Sequence, residues 1–210
     1  MEYYQSIIIW HIATNLCFDT DSGVNEPKND LLRKVSKDVS DYVMYILVMC
    51  PFLLSTGDAK FSFKITCAMV MEFLQEKKFA RLPKADACAM LISEYDVFLG
   101  PKYEDLYFRR NNDSLEDCLL YFAVLIEKKL SKMERKWEIL SQYWVKNLAY
   151  VATLCQGNHH AQLLRKGGEF LTHVWLLIEH LNLKESFQKS NKATLGRSTH
   201  GRIGDSDLFV

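Results

Sequence analysis

Two runs of apolar residues, each recurring every three or four positions between residues 115 and 155, restrict this chain to a helical fold. Residues at that spacing share one face of an α-helix, which must be buried to be stable. The first helix is predicted to begin with Ser114 as its N-cap, with Asp117 three residues later, and the second to stop at Gly157. The two apolar stripes are Leu115, Leu119, Phe122, Ile126 and Leu130, then Trp137, Leu140, Trp144, Leu148, Val151 and Cys155.

The remainder of the chain also reads as helices and loops. Helices are predicted over residues 2–18, from about Asp30 to Met49, within "KITCAMVMEFLQEKK" and within "EFLTHVWLLIEHLNL", whereas "ADACAMLISEYDVFL" is compatible with one and "HHAQLLRK" reads as a short turn. No alternating pattern typical of β-strands is present. The prediction is an all-α protein, an irregular multi-helix bundle of about six to eight helices.

The final helix carries two adjacent apolar stripes, which predict burial on more than one side. After Leu183 the residues turn polar and lose their period. We therefore expect a single helical domain over residues 1–183, with 137–183 as its most distinctive block, and a disordered tail over 184–210. The stripes are Phe170, Val174, Leu177 and Leu181, with Leu171, Trp175 and Ile178 beside them.

Charge and hydropathy exclude several classes of partner. Lysine plus arginine and aspartate plus glutamate both total 26, so no net field favours nucleic acid. The longest apolar run, Val43 to Leu54, contains Pro51 and falls short of the roughly 20 residues that a spanning helix needs. The six cysteines are scattered without a C-x-x-C pair. Free thiols and a cytoplasmic chain with no transmembrane segment of its own are expected.

One cluster of side chains suggests chemistry. Cys155 with His159, and Glu169 with His173, are spaced i, i+4, so each pair could share a helical face and bind a metal or, with His160, act as nucleophile, base and acid. The competing interpretation treats the stretch as a helix junction, with His173 and His180 half-buried in the core. Neither a metal nor another cofactor is predicted, because the spacing matches no structural zinc motif and no catalytic elbow is present.

Four blocks, "SIIIWHIATNLCF", "VSDYVMYILVMCPFLL", "WEILSQYWVKNLAYVA" and "GNHHAQLLRKGGEFLTHVWLLIEHLNL", occur in an order that resembles a plant family known by its C-terminal domain of unknown function 594. The last block is similar to a pattern of the form C-x-G-x-x-H-A-x-x-L-x-x-G-G-E-[LF]-L-T-x-V-W-L-L. We take seven of its positions as the structural motif: Gly157, His160, Gly167, Gly168, Glu169, Thr172 and Trp175.

The resemblance implies an architecture and no chemistry. Several hydrophobic spans, called domain of unknown function 4220, usually precede the "IWHIAT" block in such proteins, so the resemblance implies membrane association and a cytosolic C-terminal region. We therefore expect a non-enzymatic helical interaction or regulatory module. Its expected partner is a protein or the membrane helices of a longer family form, with no small-molecule ligand. The alternative is an enzyme or metal-binding protein using Cys155, His159, His160, Glu169 and His173.

Overall fold

The computed structural model describes residues 3–21, 27–50, 82–98, 115–155, 157–165 and 169–183, and the single residues 64, 67, 68, 71 and 75. These ranges contain seven helices and no strand, which confirms the all-α prediction. Ser114, Gly167, Gly168 and the tail 184–210 lie outside the described residues, as does most of the helix predicted near residues 64–78. The helices are α1 (Tyr3–Thr20), α2 (Pro27–Met49), α3 (Lys84–Phe98), α4 (Leu115–Ser131), α5 (Lys136–Leu154), α6 (Gly157–Leu164) and α7 (Glu169–His180).

Helix α1 is the central element of the bundle and packs against α2, α3 and α4. Its run from Ile7 to Trp10 is entirely buried, as expected for a helix that is apolar around most of its circumference. Leu16, one to two turns further on, joins Leu91 of α3 and Leu120 of α4 in a second apolar cluster. The apolar run from Ile7 to Trp10 is therefore part of the core.

Helix α5 packs against α2 and α7. All six residues of its predicted stripe, from Trp137 to Cys155, are buried, which confirms the interpretation of that period. Two polar links fix α5 to α1: the indole of Trp144 donates to Thr14 at 2.9 Å, and the Tyr3 hydroxyl donates to the Asn147 side chain at 3.0 Å. Helix α5 thus connects the central helix to the C-terminal elements.

The predicted stop at Gly157 is wrong. Helix α5 ends at Leu154, because Cys155 adopts an extended backbone with φ −71° and ψ 134° that cannot continue the helix. Gly157 is instead the first residue of α6. The stretch interpreted as a short turn, "HHAQLLRK", is therefore mostly helical, since His160 and Leu163 both face the core and hold the helix in place.

No helix in the described ranges is both long enough and apolar enough to cross a membrane. Five of the six cysteines have described side chains, and each of them is a free thiol: Cys17, Cys50, Cys67, Cys88 and Cys155.

Candidate functional site: the C-terminal helix junction

His160 is the central polar residue of the junction between α6 and α7. Its side chain is only 3% exposed and stacks on the indole of Trp175, with ring centroids 4.4 Å apart. Its Nδ1 lies 3.3 Å from the hydroxyl of Thr172, while its Nε2 is buried with no hydrogen-bond partner. The structure therefore brings three residues of the predicted motif, His160, Thr172 and Trp175, into direct contact.

Burial lowers the pKa of His160, and the nearby His159 acts in the same direction. The backbone at Ala152 favours the protonated form but does not outweigh these two effects. A neutral imidazole packed on an aromatic ring is a structural group that fixes how α6 lies on α7.

The side chains proposed for metal binding or catalysis are dispersed. Cys155 is buried, its Sγ lies 3.2 Å from the carbonyl oxygen of Val151, and burial raises the pKa of its thiol to about 12. Glu169 and His173 are exposed, whereas His160 faces inward. Among the residues that the structure describes, no three His, Cys, Asp or Glu side chains are grouped closely enough to hold a metal ion. The geometry gives the enzyme or metal-binding alternative no support.

A residue missed by the sequence analysis organises the start of α7. The hydroxyl oxygen of Tyr42, in α2, accepts a hydrogen bond from the backbone N–H of Leu171 at 3.0 Å. That N–H is one of the first four of the helix, which have no partner within it. The Tyr42 ring also packs edge-to-face on Phe170, with centroids 5.2 Å apart. Tyr42 therefore caps α7 from a distant part of the chain.

Only one of the two apolar stripes of α7 is buried, so the prediction of burial on both is wrong. Leu171 and Ile178 are buried and Trp175 is half-buried, because this side faces α5 and α6. On the other stripe Val174 is half-buried, whereas three apolar side chains are about half exposed: Phe170 (48%), Leu177 (58%) and Leu181 (52%). We call these three residues the α7 outer face.

The apolar surface continues from α7 onto α2. The ring of Tyr42 lies 6.4 Å from that of Tyr45, which is exposed, and Met49 is exposed one turn further along α2. Residues 42–49 contain no charged side chain. His173 and His180 are exposed on α7, which corrects their interpretation as half-buried core residues.

A second polar group, between α1 and α2, also escaped the sequence analysis. Nδ1 of His11 lies 2.9 Å from the hydroxyl of Ser40 and 3.9 Å from a carboxylate oxygen of Asp41, while Nε2 lies 3.3 Å from the amide nitrogen of Asn15. Burial lowers the pKa of His11 to about 4. A catalytic relay needs the acid and the hydroxyl on opposite ring nitrogens, whereas here both contact the same one. The arrangement therefore does not match such a relay.

The sequence blocks that carry the resemblance meet in space. His11 belongs to the block "SIIIWHIATNLCF", and Ser40 and Tyr42 both belong to the block "VSDYVMYILVMCPFLL", whose Ser40 it contacts. Through its hydrogen bond to Leu171, Tyr42 then connects that block to the C-terminal one. The blocks thus form one chain of contacts from α1 through α2 to α7.

The fold and this junction define an all-helical protein in which α7 is capped by a side chain of α2 and exposes an apolar face. Residues 129–183 match the model of the family described as Protein of unknown function, DUF594, which confirms the resemblance to that family over this part of the chain. The junction and the α7 outer face both lie inside the matched residues. Comparisons with curated proteins and with solved structures found no match.

Proposed function

We propose that this chain is a non-enzymatic helical interaction module, and that the α7 outer face binds an apolar helix of a protein partner. The observation that carries the proposal is the exposure of Phe170, Leu177 and Leu181 on one stripe of a single helix. Contiguous exposed apolar surface is unfavourable in water and commonly marks a binding surface.

The surroundings of the outer face support a protein as its partner. Aromatic and methionine side chains are enriched in protein interfaces, and Tyr45 and Met49 extend the apolar surface in this direction. Binding to an anionic membrane surface favours lysine and arginine around the apolar stripe, and residues 169–183 contain neither. In a longer family form, this chain is proposed to be the cytosolic part of a plant membrane protein, and the membrane helices of that form are the alternative occupant of the face.

The test is capture of partners by the immobilised chain, with a photo-cross-linking side chain at position 173, which is exposed and lies one helical turn before Leu177. Leu177→Glu places a charge in the centre of the face, and we expect it to abolish the cross-linked product. Leu31→Glu is the matched control, since Leu31 is 62% exposed against 58% for Leu177. It lies at the far end of α2, about 21 Å along the helix from Tyr45.

Circular dichroism of both variants establishes that they are folded. Capture that depends on Leu177 but not on Leu31 supports the proposal. Equal capture by all three proteins, or equal loss with both variants, would show that the α7 outer face is not the binding surface.

A further inference from the structure

We infer that the α7 outer face binds the same face of a second copy of this chain, with the two α7 helices antiparallel. This inference rests on the proposed function and names its partner. It follows from the arrangement of apolar and charged side chains along a single helix.

The apolar residues of the face are suited to antiparallel self-pairing. Phe170 and Leu181 are eleven residues apart, about 16 Å along the helix axis, and Leu177 lies between them. A two-fold axis midway between Phe170 and Leu181 places Phe170 of each copy opposite Leu181 of the other. The two Leu177 side chains then lie on either side of the two-fold axis, about 4.5 Å apart along the direction of the helices. Such an interface uses one patch on both copies, as two-fold dimers do.

Charge selects the antiparallel orientation over the parallel one. Glu169 and His180, both exposed, are also eleven residues apart and therefore lie on one flank of α7, at its two ends. In the antiparallel register described above, Glu169 of one copy and His180 of the other are about 3 Å apart along the direction of the helices. The carboxylate can accept a hydrogen bond from the imidazole. Parallel pairing would instead bring the two Glu169 side chains to the same end.

The dipoles of the two α7 helices also favour the antiparallel orientation. Antiparallel packing places the positive N-terminal end of each α7 beside the negative C-terminal end of the other. Residues 169–183 carry no lysine or arginine, so the pairing buries neither type of side chain from α7.

The interface also extends beyond α7. Specific interfaces bury about 800 Å² on each partner, which is more than one stripe of a 12-residue helix supplies. Tyr45 and Met49 are exposed on α2 next to the start of α7 and provide further apolar area. The second copy is therefore expected to cover both α7 and the C-terminal end of α2.

Sedimentation equilibrium of the full chain is the first test. We expect a concentration-dependent species of twice the 24.4 kDa chain mass. Leu177→Glu sets two carboxylates close together in the centre of the interface and should raise the dimer Kd about 100-fold or more. Leu31→Glu should leave the Kd unchanged, because Leu31 lies at the other end of α2.

Disulfide cross-linking tests the register. Two variants, Phe170→Cys and Leu181→Cys, are prepared in a Cys67→Ser background, which removes an exposed thiol, and are then mixed and oxidised with oxidised glutathione. The antiparallel pair predicts disulfides between the two variants and not within either one alone. The two positions in one copy are about 16 Å apart, too far for an intramolecular bond.

The outcomes separate this inference from the proposed function. A monomer at all concentrations that still captures a partner through Leu177 overturns the second copy as partner and leaves the interaction module standing. A dimer that is unaffected by Leu177→Glu, or cross-links formed within each single variant, also overturns the inference. A monomer with no Leu177-dependent capture overturns both.

Discussion

The indole Nε1 of Trp144 donates a 2.9 Å hydrogen bond to Oγ1 of Thr14, and both side chains are fully buried. Thr14 in turn donates to the carbonyl oxygen of Trp10 at 2.7 Å. The pair joins α5 to the central helix α1, so the position of the DUF594 region relative to the rest of the chain depends on it. A buried donor that loses its partner costs more than the hydrogen bond itself contributed.

Replacement of Thr14 by valine should therefore destabilise the protein by about 1–3 kcal/mol, because the Trp144 indole is left buried and unpaired. Urea denaturation followed by tryptophan fluorescence measures the change in the free energy of unfolding. Thr14→Ser, which keeps the hydroxyl, is the control and should lose clearly less stability. A larger loss in Thr14→Ser, which lacks the methyl group, than in Thr14→Val, which keeps it, would assign the effect to packing of the methyl group and contradict the hydrogen-bond assignment.

His11 should make stability fall with acid. Its pKa is lowered from 6.5 to about 4 by burial, whereas in the unfolded chain it titrates near its ordinary value. As pH falls from 6.5 towards 4, the unfolded state takes up a proton that the folded state does not, so the folded state loses stability. Across this whole pH range, the loss of folding stability that arises from His11 is about 3 kcal/mol.

The measurement is the free energy of unfolding of the wild type and of His11→Gln at pH 7 and pH 5. The wild type should lose more stability between these values than the variant. His180→Gln, which changes an exposed histidine, serves as the control and should follow the wild type. Asp41, Lys37 and Lys84 also act on His11. A Lys37→Gln variant separates the contribution of that lysine, and parallel pH curves for wild type and His11→Gln would contradict the assignment.

Local periodicity was sufficient to predict α5. All six residues of its apolar stripe are buried, and the helix packs against α2 and α7. It was insufficient for α7, where two apolar stripes have the same period. Which stripe is buried depends on how α5, α6 and Tyr42 are placed around the helix. The pattern of α7 alone contains no information about that placement.

The candidate site was predicted only in part for the same reason. His160, Thr172 and Trp175 are close in sequence, so one short motif contains all three. Tyr42 and Leu171 are 129 residues apart, and His11 and Ser40 are 29 apart. Spacing within a helix cannot indicate such pairs. Ser40 and Tyr42 lie in the block "VSDYVMYILVMCPFLL", one of the four that carry the resemblance, but the block does not show what they contact.

His160 stabilises the junction mainly through its ring, which yields a prediction with two variants. His160→Ala removes the stack on Trp175 and leaves a cavity, and should cost about 2–4 kcal/mol. His160→Phe retains a ring on Trp175 and removes the buried Nε2 that has no hydrogen-bond partner, at the expense of the Thr172 contact. It should cost less than half as much. Thermal and urea unfolding compare the two, with exposed His173→Ala as the control. A phenylalanine variant as unstable as the alanine variant would show that the Thr172 hydrogen bond dominates.

Tyr42 should control the order of α7 without much effect on the rest of the fold. Tyr42→Phe removes the oxygen that accepts from the Leu171 N–H but keeps the ring that packs on Phe170. We expect a loss of about 0.5–1.5 kcal/mol in the stability of the fold, concentrated at the start of α7.

Amide hydrogen exchange measures this effect residue by residue. Exchange should accelerate at Leu171 and its neighbours, while amides of α1 and α5 stay protected. Tyr45→Phe removes a tyrosine hydroxyl three residues further along α2 and is the control. Uniformly faster exchange across all helices would mean that Tyr42 contributes to global stability and does not act as a local cap. Unchanged exchange at Leu171 would mean that water replaces the Tyr42 hydroxyl at no cost, and the contact between α2 and α7 would then depend on the aromatic rings alone.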